Sequence, residues 1–438
     1  MSKFSKYKFN ELYDMSSGIS TSKAQAGHGY PFISFSTVFN NIFLPLVIDD
    51  LMDTSEKQRL TYSIKKDDIL ITRTSETIDE LAMSSVALQD YHNTTYSGFT
   101  KRLRPKTNTM QLVYSKYLAF YLRSCLFRKA VNNNAFMTLR ASFNEDIFSF
   151  LELTLPEYSQ QIKIGDLLFV IEQKIQNNKK IISQLEDMVK TIYDYWFTQF
   201  DFPDENGKPY KSSGGKMVYN EDLKRKIPVG WEVGNFKNYI LDIKNGDWGK
   251  DNNIGNYTNE VICIRGADFY TIKGKNQTIP PTRFINKNSS HKLLKTGDIL
   301  VEISGGSPTQ STGRICYIND ITLKRFNKNI ITSNFCRGLT LKNLSYLYWF
   351  YLCWDNIYNA NILFGYESKT TGIKNLMFDI FAETYKIINP AENIINDFYQ
   401  IVSPMFDNIQ RINIENQELT SLRDWLLPML MNGQARVE

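Results

Sequence analysis

Two long stretches of the chain place apolar residues in alternating steps of four and three. The first runs Ile164, Leu168, Ile171, Ile175, Asn178, Ile182, Leu185, Val189, Ile192 and Trp196. The second runs Phe398, Val402, Met405, Ile409, Ile412, Asn416, Leu419, Arg423, Leu426 and Leu430. Such spacing predicts helices with a coiled-coil seam. Set antiparallel with Ile164 facing Leu430 and Trp196 facing Phe398, the two series give eight apolar pairs, and the polar Asn178 meets Asn416. A side-chain amide facing Ile would lose hydrogen bonds, at a cost of about 1–3 kcal/mol. Facing another Asn it is satisfied, and registers shifted by a heptad are penalised. Two features fit this seam badly: Arg423 falls opposite Ile171, and Pro404 predicts a kink in the second helix. Outside the helices, short β-rich runs (Tyr30 to Val38, Ile69 to Thr72, Val261 to Arg265, Ile299 to Ile303) alternate with Gly/Ser/Asn loops and helical stretches such as Tyr114 to Arg128 and Leu344 to Tyr358.

The pattern occurs twice. Lys66-Asp67-Asp68-Ile69-Leu70 matches Thr296-Gly297-Asp298-Ile299-Leu300, and Phe120-Tyr121-Leu122 matches Phe350-Tyr351-Leu352, both at an offset of 230. Ser97, Phe99 and Leu103 match Ser333, Phe335 and Leu339 at 236, and the helical positions match at 234. The same order at nearly the same offset indicates two copies of one unit. The expected organisation is a mixed α/β domain over 1–155, a helical spacer and turn-rich linker over 156–227, a second α/β domain over 228–389, and a second helical spacer over 390–438. The fold class is therefore α+β, with two similar domains separated by two long helices packed as an antiparallel coiled coil in a pseudo-twofold repeat. A seam of 33 residues from Ile164 to Trp196 would span about 50 Å. Two similar units related by a dyad and held at a fixed separation resemble a dimeric DNA reader made in one chain.

Composition narrows the function classes. Of 438 residues, 42% are hydrophobic and 22% charged, as in a globular protein. The net charge of +5 is too small to prove a nucleic-acid partner by itself, but it is unevenly placed. Residues 1–155 carry 18 basic against 15 acidic groups and 228–389 carry 19 against 13, whereas 156–227 are balanced and 390–438 carry 3 against 7. No apolar run is long enough for a membrane span, and the N-terminus lacks the pattern of a signal peptide. Five cysteines without a CxxC pair, and three histidines, argue for a reducing cytoplasm and against a zinc site.

Several stretches resemble the specificity subunits of type I restriction–modification systems. They are Phe202 to Tyr210 with Ser213-Gly214-Gly215-Lys216, Ile227-Pro228-Val229-Gly230-Trp231-Glu232, and Leu422 to Gly433. The layout, with target-recognition domains alternating with helical regions, is similar too. The first domain departs from the second in lacking a Pro-x-Gly-Trp opening and in carrying Asp67-Asp68 where the second has Gly297-Asp298. The resemblance implies a non-catalytic chain that reads a split, asymmetric double-stranded DNA target. Two methyltransferase (modification) subunits, and in some systems motor-nuclease (restriction) subunits, would do the chemistry. The methyl donor, ATP and magnesium would be bound by those partners, and no cofactor, metal or membrane is expected for this chain. A free-standing two-domain DNA-binding or scaffold protein is the alternative.

The residues themselves offer little catalytic chemistry. Gly215-Lys216 lacks the earlier glycine and following hydroxyl of a phosphate-binding loop. Asp298 and Glu302 lack the lysine of a nuclease site and are expected at a turn and on the surface. Pro280-Pro281 lacks the preceding Asn or Asp of an adenine-methylating motif, and His28, His92 and His291 have no nucleophile partner.

DNA contacts are expected from loops bearing cations, amides and hydroxyls, since phosphates need the first and base edges the others. In the second domain the candidates are Ser304, Gly305, Gly306, Thr309, Gln310 and Arg314 in one loop, Tyr366 and Lys369 in another, and Trp248 and Lys250 after a glycine-rich turn. In the first they are Arg73, Thr74 and Ser75, the basic cluster Lys101, Arg102 and Arg104, and Arg140.

Overall fold

A computed structural model describes residues 4–75, 80–109, 111–134, 141–275, 278–370 and 372–437. The chain divides into two compact units, Met1–Gln176 with Glu418–Glu438, and Asn177–Gln417.

Each unit is built on the same sheet plan. In the first, strands Tyr13–Ser17, Thr100–Pro105, Ile69–Thr72 and Ser84–Val86 lie side by side in that order as an antiparallel sheet. Beside it, Ala26–Ile33 pairs antiparallel with Leu51–Met52 and parallel with Thr95–Tyr96. In the second unit the four-stranded order is Ile240–Asn245, Cys336–Leu341, Asp298–Glu302 and Ile315–Tyr317. There Tyr257–Ile264 pairs antiparallel with Thr282–Asn286 and parallel with Ile330–Thr332. The repeat read from scattered sequence matches is thus a repeat of strand order and direction.

The turn entering the central strand is the same in both units. Asp67 has φ +68° and Gly297 φ +88°, so Asp67 adopts the left-handed conformation that glycine supplies in the other copy. Asp67 is held there by Ser115, whose hydroxyl donates to its carboxylate at 2.5 Å. The next residue, Asp68 or Asp298, is fully buried in each unit. Each accepts a hydrogen bond from the backbone N–H three residues earlier, at 2.8 Å from Lys65 and 2.9 Å from Lys295.

Some boundaries differ from expectation. The strand expected from Tyr30 to Val38 ends at Ile33, because Ser34 caps a helix over Phe35–Asn40 by accepting from the Thr37 N–H. The helix expected over Tyr114 to Arg128 is two helices, Ser115–Tyr121 and Cys125–Asn134, with the Ser124 hydroxyl accepting from the Phe127 N–H.

The long helices are Tyr158–Tyr193, extended by a π-helical turn over Asp194–Thr198, and Glu392–Met431. In the second unit Ile182, Val189 and Trp196 share a core with Phe398, Val402 and Ile409, and the Trp196 and Phe398 rings lie 5.8 Å apart. Asn178 donates to Asn416 Oδ1 at 2.9 Å and to Glu415 at 2.8 Å, as the seam requires. In the first unit Ile164 and Leu168 share a core with Leu430. The misfit Arg423 turns away from Ile171 to Glu172, which it meets at 2.7 Å. The second long helix continues through Pro404 without interruption. At Gly165 an added Cβ would sit 2.7 Å from the Tyr117 backbone nitrogen, so glycine allows the close approach of the helix there.

The segment following the first long helix is packed rather than loose. Phe202 is stacked between Tyr210 (4.7 Å) and Trp231 (5.0 Å). Ser212 donates from both its backbone N–H and its hydroxyl to Asp201, which holds that carboxyl below its usual range. Among the described residues no helix is long and apolar enough to cross a membrane.

Candidate nucleic-acid interface

In the first unit the central strand Ile69–Thr72 delivers Arg73 to the surface. Its backbone is fixed on both sides: the Arg73 N–H donates to Phe99 O at 2.8 Å, and its carbonyl accepts from Phe143 N at 2.7 Å. Thr74 and Ser75 form a short strand with Ala141–Ser142, in which Ser75 is buried and Thr74 half-buried. Lys101 donates to the Ser17 hydroxyl at 2.8 Å. Partial burial, and then the neighbouring Arg73 cation, lower its pKa. Among the described residues neither Arg73 nor Lys101 has an ion-pair partner, so both remain available to a phosphate.

The rest of the basic cluster serves the fold. Arg104 donates from Nε and NH2 to the two oxygens of Asp68, at 2.8 and 2.6 Å, and from NH2 to Ser63 O at 2.9 Å. Arg102 donates to the same Ser63 carbonyl at 2.5 Å and lies 5.7 Å from the Tyr96 ring centre. Residues 102 and 104 share one face of the strand, as the two-residue period requires, and that face is turned to the buried carboxylate. Arg104, expected to contact DNA, is thus held in the fold by a buried carboxylate. Arg140 lies outside the described residues.

In the second unit the structure joins two segments that are far apart in sequence. Ser304–Gly305 pairs with Ile373–Leu376, which pairs in turn with Glu367–Thr370, making one small sheet. Ser304 donates to the Asn375 side chain at 2.6 Å. Glu367 accepts from the Thr312 N–H at 2.7 Å and from its hydroxyl at 3.1 Å, and forms an ion pair with Lys374 at 3.2 Å. Lys374 also donates to Gln310 O at 2.7 Å. The base of the loop is thereby clamped, while Gly306, Pro308 and Thr309 remain exposed at its tip. The Tyr358 hydroxyl donates to the Ser311 carbonyl at 3.4 Å. Tyr366 packs its ring 4.9 Å from that of Phe381. The Lys369 side chain lies outside the described residues.

Arg314, also expected to contact DNA, is held by a carboxylate in the same way. Its Nε and NH2 donate to Glu302 at 2.8 and 2.6 Å, and the carboxylate raises its pKa further above the usual arginine value. Glu302 is itself buried, as is Asp298, which pairs with Lys244 at 2.5 Å and accepts from the Thr340 hydroxyl at 2.7 Å. These two acids, expected at a turn and on the surface, are interior groups neutralised by partners. Trp248 and Lys250 flank Gly249, whose φ of +60° and close approach to Phe284 O exclude a side chain. The Arg283 guanidinium lies 4.4 Å from the Trp248 ring centre, and exposed Lys250 lies 5.6 Å from that of Tyr257.

Lys374 and Asn375 were missed by sequence reasoning. Their signal was the hairpin around Gly372 (φ +80°), which carries the polar run past Thr371. Among the described residues no cluster of His, Cys, Asp and Glu could hold a metal ion.

The comparisons agree with this architecture. Residues 1–187 match the family of type I restriction modification DNA specificity domains. The MjaIX specificity subunit of Methanocaldococcus jannaschii is 26% identical over 361 residues, 81% of this chain and 75% of that protein. The HindI specificity subunit of Haemophilus influenzae is 23% identical, covering 93% of this chain and 95% of its own length. A crystal structure of a type I restriction–modification S subunit from M. genitalium has the same fold, with a TM-score of 0.60, 14% identity, and coverage of 98% of this chain and 96% of that one. Residues 1–187 thus match a type I restriction modification DNA specificity domain, and over most of its length the chain is similar to specificity subunits of type I restriction–modification systems.

Proposed function

We propose that this chain reads a bipartite, asymmetric DNA target, one half with each unit, and directs methylation, and restriction where a motor-nuclease subunit is present, by partner subunits. The observation that carries this reading is the duplicated sheet plan whose loops differ. The first unit offers Arg73 and Lys101 at its central strand, and the second offers the clamped Ser304–Arg314 loop with Lys374 and Asn375. Equal frames bearing different donors suit two unlike half-sites, because base identity is read by donor and acceptor pattern. The long helices would set the spacing between the halves. The chain contributes binding only, with methyl donor, ATP and magnesium held by its partners.

The test is co-expression with the methyltransferase subunits, followed by sequencing of methylated positions in host DNA. A split motif with a fixed gap supports the reading. A continuous motif, or methylation by this chain alone after rigorous purification, overturns it.

A further inference from the structure

Phe99 and Phe335 occupy the same position in the two repeats, and both are exposed, at 63% and 53%. A single exposed aromatic ring on a protein surface carries no message. Here, however, the surroundings are repeated as well. Ser97 and Ser333 are buried and bonded to the neighbouring sheet through Ile33 O (3.0 Å) and Ile264 O (2.8 Å). Their carbonyls accept from Thr100 N (2.9 Å) and Cys336 N (3.0 Å), closing a tight turn with the ring at its tip. Gly18 and Gly246 lie against these turns so closely that an added Cβ would come within 2.1 and 1.9 Å of the serine carbonyl oxygens. The ring is therefore displayed from a rigid mount in both copies, on a chain whose repeats share few side chains.

Each mount adjoins a candidate DNA loop. The Phe99 carbonyl accepts from Arg73 N at 2.8 Å, and the Phe335 carbonyl accepts from Ile303 N at 2.8 Å and Ser304 N at 3.3 Å. Two residues beyond each ring stands a cation, Lys101 or Arg337, of which Arg337 is paired with the exposed Asp379 at 3.2 Å. An apolar ring beside a cation and hydrogen-bonding side chains suits a nucleic-acid groove, where apolar wedges enter base steps while cations hold the flanking phosphates.

Building on the proposed DNA reading, we infer that Phe99 and Phe335 are wedge residues, one per half-site, which press their rings against the bases beside the loop each turn supports. Neither ring is catalytic; each positions its own half-site.

The experiment uses the chain in complex with its methyltransferase subunits and a duplex target selected from a randomised pool. 2-Aminopurine is substituted through each half-site in turn. The wild-type complex is expected to brighten the probe at a step in each half. Phe99→Ala should abolish the signal in one half only and Phe335→Ala in the other, each lowering affinity for the target by about tenfold or more. Phe99→Leu and Phe335→Leu, which keep an apolar wedge, should retain part of both effects. Thermal melting and affinity for unrelated DNA should be unchanged in all four variants. Alanine variants that keep full affinity and both fluorescence signals overturn the inference while leaving the DNA reading intact. Loss of complex assembly instead would make the rings subunit contacts and overturn it equally. A wild-type complex that selects no sequence overturns the DNA reading, and the inference with it.

Discussion

Arg104 holds Asp68 by two parallel hydrogen bonds, and Lys244 holds Asp298, yet the two cations stand on different strands. Arg104 lies on the strand adjacent to the aspartate's own, where the second unit has Thr340, whereas Lys244 lies one strand further out. The residue opposite Lys244 is Gly338, and its counterpart in the first unit is Arg102 opposite Ser16. The bare glycine leaves room for the lysine stem, whose Cβ lies 3.5 Å from the position a Cβ would take at 338.

Removing either cation leaves a fully buried carboxylate without a counter-charge. Arg104→Ala and Lys244→Ala should each cost about 3–5 kcal/mol of stability, measured by urea unfolding of the full chain. Pairing each with Asp68→Asn or Asp298→Asn should recover a large part of the loss. Single variants as stable as the wild type would contradict the internal role of these pairs.

The asparagine pair of the helical seam gives a second prediction. Asn178→Ile leaves Asn416 and Glu415 without the donated N–H groups and should destabilise the second unit by about 1–2 kcal/mol. The double change Asn178→Ile with Asn416→Ile should be more stable than either single variant, giving a coupling in a double-mutant cycle. Additive losses would show that the contact contributes nothing.

Arg314 and Arg73 should separate stability from recognition. Arg314→Ala strands buried Glu302 and should lower stability by about 3–5 kcal/mol. Arg73→Ala breaks no side-chain pair among the described residues, so stability should change by no more than about 0.5 kcal/mol. Its effect should be weaker DNA binding by the complex, with a salt slope smaller by about one unit if it contacts a phosphate. Affinity measured across a salt series distinguishes the two variants.

Cysteine reactivity offers a fourth check. Burial pushes the thiols of Cys263, Cys316 and Cys353 up to about 12, and that of Cys336 higher still. Cys125 is exposed. At neutral pH a thiol-specific reagent should modify one cysteine in the native chain and five after denaturation. Rapid modification of Cys316 or Cys336 in the native chain would show that the cores open readily.

The helical seam and the duplication were legible because periodic patterns survive without knowledge of tertiary contacts. The Asn178–Asn416 contact followed from spacing alone. What could not be read was the allocation of charge. Arg102 and Arg104 form a basic run in sequence, but alternation along the strand turns both toward the Ser63 carbonyl and, for Arg104, toward Asp68, a residue 36 positions away. Glu302 and Arg314 lie across a hairpin, with the Glu302 N–H bonded to the Arg314 carbonyl at 2.9 Å. Reading that hairpin first would have paired them, since opposite charges on facing strands attract. Lys374 is tied to the loop by a hairpin partner, Glu367, and by a distant one, the Gln310 carbonyl 64 positions away.

The different placement of the two buried counter-charges limits how such a chain can be recombined. A hybrid sheet that takes its outer strand from the first unit and its next strand from the second would bring Ser16 and Thr340 to the buried aspartate and provide no cation. The reciprocal hybrid would bring both Lys244 and Arg104, crowding two cations around one carboxylate. The strands of the two four-stranded sheets are therefore not interchangeable between the units, and within this chain only a whole sheet carries its own counter-charge.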